Sequence, residues 1–152
     1  MIELAPRHRP LRILCVEEEL VERKLLQACL DAASIEALFA NSAAQALWLF
    51  RRHPVDMVFI DIDRHASAEL SAFLQMRATP GRGERVPMLA VTHNDCGWTE
   101  DEYCEAGFAG LFERPVEPTR LFAKIDGILR DNYLPPLLLK SRGDGRMVEH
   151  RA

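Results

Sequence analysis

Val55-Asp56-Met57-Val58-Phe59-Ile60-Asp61 is an apolar run that stops abruptly at a carboxylate. Met57 to Ile60 leave no polar face, so the run predicts a buried strand with Asp61 at its C-terminal tip. Two further runs end in the same way. Ile13-Leu14-Cys15-Val16 stops at Glu17-Glu18-Glu19, and Pro87-Met88-Leu89-Ala90-Val91 stops at Thr92. Open parallel α/β sheets form their sites at the carboxyl ends of strands. Three strands that finish in carboxylates or a hydroxyl therefore describe one acidic pocket. Such a pocket suits a divalent cation, and a carboxylate beside that cation can accept a phosphoryl group.

The flanking sequence alternates strand and helix five times. Strand 1 is expected over about Arg12–Val16, strand 2 over Ile35–Ala40, strand 4 over Met88–Thr92 and strand 5 over Gly110–Glu113. Helix 1 is expected over about Val21–Ala33, with Leu25, Leu26, Cys29 and Leu30 on one face. Helix 2 follows a cap at Asn41 or Ser42 and draws its apolar face from Ala44, Leu47, Trp48 and Phe50. Helix 3 runs about Ala68–Arg77 and ends in the loop signal Thr79-Pro80-Gly81-Arg82-Gly83. Helix 4 starts at a Thr99 cap with Glu102 at capping-box spacing, and Gly107 ends it. Helix 5 runs about Pro118–Leu129, with Leu121, Phe122, Ile125 and Ile128 inward.

Strands 1, 3 and 4 are continuously apolar, as expected where helices cover both faces of a sheet. Right-handed crossovers then give an α/β doubly wound, five-stranded parallel sheet. In the order 2-1-3-4-5, strands 1 and 3 are neighbours at the topological switch point. That order gathers Glu17, Glu18 and Asp61, with Thr92 one strand away.

The 152 residues suit one domain with short extensions: residues 1–10 as an N-terminal extension, 11–130 as the domain and 131–152 as a tail. The tail carries Leu134-Pro135-Pro136-Leu137-Leu138-Leu139, read as flexible or partner-binding. Hydrophobic residues are 48% of the chain, enough for a core. The net charge is −4, and residues 11–130 hold 19 acids against 13 bases, which argues against nucleic acid as a general partner. No apolar run is long enough for a membrane span, and the polar N-terminus lacks a signal-peptide core, so a cytoplasmic location is expected. The four cysteines, Cys15, Cys29, Cys96 and Cys104, lack paired spacing and read as reduced small hydrophobes. His93, Cys96 and Cys104 fall short of a zinc ligand set.

The ordered set of motifs resembles the receiver domain of two-component response regulators, a CheY-like superfamily with a flavodoxin-like (βα)5 fold. The resemblance covers roughly residues 11–130. It is carried by Ile13-Leu14-Cys15-Val16-Glu17-Glu18-Glu19, by Val55 to Ile62, by Val86-Pro87-Met88-Leu89-Ala90-Val91-Thr92, by Ala106-Gly107 and by Arg114-Pro115. The resemblance implies that Asp61 is the phosphorylated nucleophile. It implies that Glu17 and Glu18 hold Mg²⁺ with the Asp61 side chain and the Asp63 backbone carbonyl. Thr92 would hydrogen-bond the phosphoryl group, and Arg114 would stand at the family's cation.

The departures from the family pattern are specific. Glu18 replaces an aspartate, and one extra methylene displaces a ligand in a site that demands octahedral geometry. Arg114 replaces a lysine, exchanging a point charge for a planar fork. Leu111 stands where an aromatic switch residue is common, His93 follows Thr92 where a small residue is usual, and the loop reads Asp63-Arg64-His65-Ala66-Ser67. Alternatives stay open at several positions. The Glu17–Glu19 run also suits a helix start, Asp61 also suits a helix cap, and Arg114 also suits a permanent ion pair with Asp61. Trp98 and Tyr103 suit either a partner surface or packing.

Two functions follow from the resemblance. The first is a stand-alone receiver in two-component or phosphorelay signal transduction. It would accept a phosphoryl group on Asp61 from a histidine kinase or histidine phosphotransfer protein and signal to a downstream protein partner. The helix 4–strand 5–helix 5 face is the candidate homodimer surface. The second is a pseudo-receiver, a protein-interaction module indifferent to phosphorylation. An enzyme, a haloacid-dehalogenase-like phosphatase, is the third alternative, on the strength of Asp61-Ile62-Asp63. There the motif belongs to the first core strand rather than the third, and no acidic motif follows Thr92.

Overall fold

The computed structural model describes residues 10–62, 67–93 and 98–133. Its elements alternate in chain order: β1 (Arg12–Val16), α1 (Leu20–Ala32), β2 (Glu36–Ala40), α2 (Ala43–Arg52), β3 (Met57–Ile62), α3 (Ser67–Arg77), β4 (Met88–Thr92), α4 (Glu100–Ala106), β5 (Gly110–Glu113) and α5 (Pro118–Tyr133). All five strands pair in parallel in the order β2-β1-β3-β4-β5. The expected fold class and strand order are therefore observed. Among the described residues no helix is long and apolar enough to cross a membrane.

The strands read as unbroken apolar runs because successive side chains enter two different cores. Leu14, Val16, Val58, Ile60, Met88 and Ala90 pack beneath Ala46 and Phe50 of α2, Phe73 and Met76 of α3 and Tyr103 of α4. Their neighbours Ile13, Cys15, Met57, Phe59, Leu89 and Val91 pack beneath Leu26 and Leu30 of α1 and Leu121 and Ile125 of α5.

Local chemistry sets the helix ends. Ser42 Oγ accepts from Gln45 N and starts α2. Thr99 and Glu102 form the expected capping box on α4, and Gly107, at φ 112°, closes that helix in the left-handed conformation. α5 continues to Tyr133, past the expected end near Leu129, because no breaker occurs before Pro135. Leu25, expected on the buried face of α1, is exposed. On α2 the buried pair is Ala46 and Phe50, while Ala44 and Trp48 face solvent. The helix carries two apolar stripes, and the one containing Phe50 takes the core.

The crossover from α3 to β4 is clipped by one side chain. Arg77 donates to Gly83 O at 2.7 Å, Val86 O at 3.0 Å and Gly107 O at 2.5 Å, tying the loop and the end of α4 to α3. At Gly83 a Cβ would stand 2.3 Å from the carbonyl oxygens of Met76 and Arg77, so only glycine fits.

Candidate functional site

The strand order brings the tips of β1 and β3 side by side, with Val16 in register with Ile60. Asp61 is the penultimate residue of β3, and its neighbour Ile62 is in register with Thr92 on β4. Arg114 directly follows β5, where its backbone N–H donates to Thr92 O at 2.8 Å. The tips of β1, β3, β4 and β5 thus meet around Arg114.

Arg114 is buried and holds three carboxylates. Nη2 donates to Asp61 Oδ1 at 3.0 Å and to Glu17 Oε1, and Nη1 donates to Glu22 Oε1 at 2.6 Å. The Arg114–Pro115 peptide is cis. The acid run divides its labour. Glu17 is 2% exposed, and its second oxygen accepts from Glu19 N at 3.1 Å. Glu19 caps α1 by accepting from Glu22 N at 3.0 Å. Glu18 is exposed and takes no part in the network.

Burial and the neighbouring Asp61 charge raise the Glu17 carboxyl to about 7, against the pull of Arg114. Burial alone would lower Arg114. The hydrogen bond to Asp61 and the charges of Glu17, Asp61 and Glu22 outweigh it and hold the guanidinium above its ordinary value.

Two buried polar atoms at this point have no hydrogen-bond partner among the described residues, Thr92 Oγ1 and Arg114 Nε. An unpaired buried polar group costs about 1–3 kcal/mol. Asp61 Oδ2 also takes part in no hydrogen bond among the described residues, and the Asp61 side chain is 22% exposed. A reachable carboxylate oxygen thus shares the strand tips with two unsatisfied donors, an arrangement that suits an anion with several oxygens.

The structure therefore joins Glu17, Asp61 and Arg114 directly and sets Thr92 on the adjoining strand. It does not bring Glu18 into contact with them, and Asp63 lies outside the described residues. Among the described residues no group of three or more His, Cys, Asp or Glu could hold a metal ion. Both Glu17 oxygens accept hydrogen bonds, one from Arg114 and one from the Glu19 backbone N–H. Glu22 was not anticipated. Its signal was an acid on the first turn of the helix that follows the acid run, three residues after the cap.

The flanks answer the remaining expectations. Leu111 is half-buried against the α2–α3–α4 core, and its N–H donates at 3.0 Å to Glu100 Oε2, which also accepts from Lys124 Nζ at 2.6 Å. Tyr103 is core, edge-on to Phe108 at 5.5 Å, and the exposed Trp98 lies against it at 5.0 Å. His93 is exposed, and Cys96 lies outside the described residues.

A five-stranded doubly wound sheet in the order 2-1-3-4-5, with an acid–cation cluster at its switch point, defines an α/β module whose site lies at the strand tips. Residues 13–126 match the family model described as response regulator receiver domain. The chain belongs to that family. It is 29% identical over 110 residues to the alginate biosynthesis transcriptional regulatory protein AlgB of Pseudomonas syringae pv. tomato, covering 72% of this chain and 24% of that protein. The chain thus spans about a quarter of that curated relative. It is 22% identical over 122 residues to the polar-differentiation response regulator DivK of Brucella anthropi, covering 80% of this chain and 98% of that protein. Among solved structures it resembles the receiver domain of the sensor histidine kinase PA1611 of Pseudomonas aeruginosa, with magnesium coordinated in that protein's active-site cleft. The TM-score is 0.64 at 23% identity, over 80% of this chain and 96% of that one.

Proposed function

We propose that the chain is a stand-alone receiver whose Asp61 accepts a phosphoryl group from a histidine kinase or a histidine phosphotransfer protein, and which signals through protein contacts. The observation that carries this reading is the pair of orphaned donors, Thr92 Oγ1 and Arg114 Nε, beside a carboxylate with one open oxygen. In the transfer, Asp61 Oδ2 forms a bond to phosphorus as the donor's N–P bond breaks, and that electron pair stays on the imidazole nitrogen. Thr92 and Arg114 then donate to phosphoryl oxygens. Added negative charge raises the neighbouring Glu17 further, so that carboxyl takes up a proton. Mg²⁺ is the cofactor the resemblance implies; among the described residues Glu18 stands apart from Glu17 and Asp61, and Asp63 lies outside them.

The test is intact mass after incubation with acetyl phosphate and Mg²⁺. The wild type gains one phosphoryl group and Asp61→Asn gains none. A wild type that stays unmodified, or an Asp61→Asn variant that is modified equally, contradicts the reading.

A specific observation favours a second reading, a phosphorylation-independent interaction module. One guanidinium already pairs with Glu17, Glu22 and Asp61, which ties the strand tips together. Full signalling by Asp61→Asn in a reconstituted pathway supports this module, and loss of signalling supports the phosphoacceptor.

A further inference from the structure

We infer that the groove between α2 and α3 is a docking site for an acidic amphipathic helix of a protein partner. The inference is independent of the chemistry at Asp61. The groove encloses about 760 Å³ between the two helices. Small residues line both sides, Ala44 on α2 and Ala68 and Ala72 on α3, and leave space that larger side chains would fill. Its wall is apolar and solvent-facing. Trp48 is 53% exposed, and Leu47 lies one residue before it. An exposed tryptophan in a concave apolar surface is an anchor of the kind that dominates protein interfaces.

The charge of the groove selects the occupant. Arg51 and Arg52 line it, and Arg51 and Gln75 continue it into a second cavity of about 440 Å³ bounded by Pro80 and Arg82. Among the described residues no carboxylate lines either cavity, in a chain whose net charge is −4. The Arg52 guanidinium lies 4.5 Å from the centroid of the Trp48 ring, which keeps cation and anchor together. A helix with apolar residues at i, i+3, i+4 and i+7 and acids beside them complements both features.

Two other occupants fit less well. The tail 134–152 carries Lys140, Arg142, Arg146 and Arg151 against Asp144 and Glu149, so the arginines repel it. The acidic helix of a second copy, α4, has committed Tyr103 to its own core.

The experiment uses the full ¹⁵N-labelled chain and a synthetic helical peptide of leucines at those spacings with glutamates elsewhere. Its control carries lysines in place of the glutamates. The indole N–H signals of Trp48 and Trp98 are followed during titration. The glutamate peptide is expected to move Trp48 saturably and leave Trp98 in place, the lysine peptide to move neither. Arg51→Glu with Arg52→Glu, both exposed, is expected to weaken binding at least about tenfold. Trp48→Ala, which keeps both arginines, is expected to weaken it as well, read from the α3 amides. An unmoved Trp48, equal binding of the two peptides, or unchanged affinity in either variant would overturn the proposal. So would a peptide of residues 134–152 that moves Trp48, or movement with protein concentration alone, since these assign the groove to the tail or to a second copy.

Discussion

Arg114 Nη2 lies 3.0 Å from Asp61 Oδ1, although β4 separates the strands that carry them. The guanidinium reaches over the tip of β4 and also holds Glu17 at the end of β1 and Glu22 on α1. One cation therefore joins the edge strand to the centre of the sheet.

Removing that cation strands two carboxylates at the strand tips. Arg114→Ala is expected to destabilise the fold by about 3–5 kcal/mol, the usual cost of breaking one side of a buried pair. Equilibrium urea denaturation measures it. Arg114→Ala combined with Glu17→Gln recovers part of the loss, because one of the orphaned charges is gone. A loss below about 1 kcal/mol would show that the network is not a structural tie.

Glu17 makes stability depend on pH with a defined sign. Its carboxyl is raised in the fold from an ordinary 4.5 to about 7. The stabilisation it contributes is fully present below the ordinary value and is lost as pH rises through about 7. The wild type is therefore expected to lose stability relative to Glu17→Gln between about pH 4.5 and 7, by no more than about 3 kcal/mol, and then to run parallel to it. Denaturation of the two proteins across that range checks the slope. A wild type that gains on the variant with rising pH reverses the sign and contradicts the account.

Arg77 and Gly83 form the clip on the α3–β4 crossover. Arg77→Ala gives up three charge-assisted bonds to carbonyls, and partial hydration of those carbonyls limits the cost to about 3 kcal/mol. Gly83→Ala forces a methyl onto two backbone oxygens, an overpacking cost of at least about 2 kcal/mol. Thermal unfolding of each variant measures the effect.

Neighbouring aromatics on α2 are expected to behave in opposite ways. Phe50 is fully buried, so Phe50→Ala costs about 3–5 kcal/mol. Trp48 is exposed, so Trp48→Ala costs under about 1 kcal/mol. Denaturation midpoints of the two variants give the contrast.

Strand boundaries were legible where burial on both faces leaves a continuous apolar run: β1 and β4 begin and end where the sequence places them. Helix caps were legible because Ser42, Thr99 and Glu102 act on backbone groups three residues away. Helix faces were harder. Trp48 and Leu25 are apolar at helical spacing, yet competing residues on the same helix fill the space above the sheet. The gathering of Glu17, Asp61 and Arg114 followed from strand order. The roles within the acid run did not, because three consecutive glutamates look alike until the backbone turns into α1. Glu17 then points at a buried cation, Glu18 meets solvent and Glu19 caps the helix. Glu22 escaped notice because its partner is distant in sequence.

The most direct test of the site follows the Nε–H signal of Arg114 by ¹⁵N NMR before and after acetyl phosphate with Mg²⁺, with Asp61→Asn as reference. The wild-type signal is expected to move as that orphaned donor gains a phosphoryl oxygen, and the reference signal to stay. A phosphorylated chain whose Arg114 Nε–H does not move, or a chain that takes up no phosphoryl group, would contradict the account.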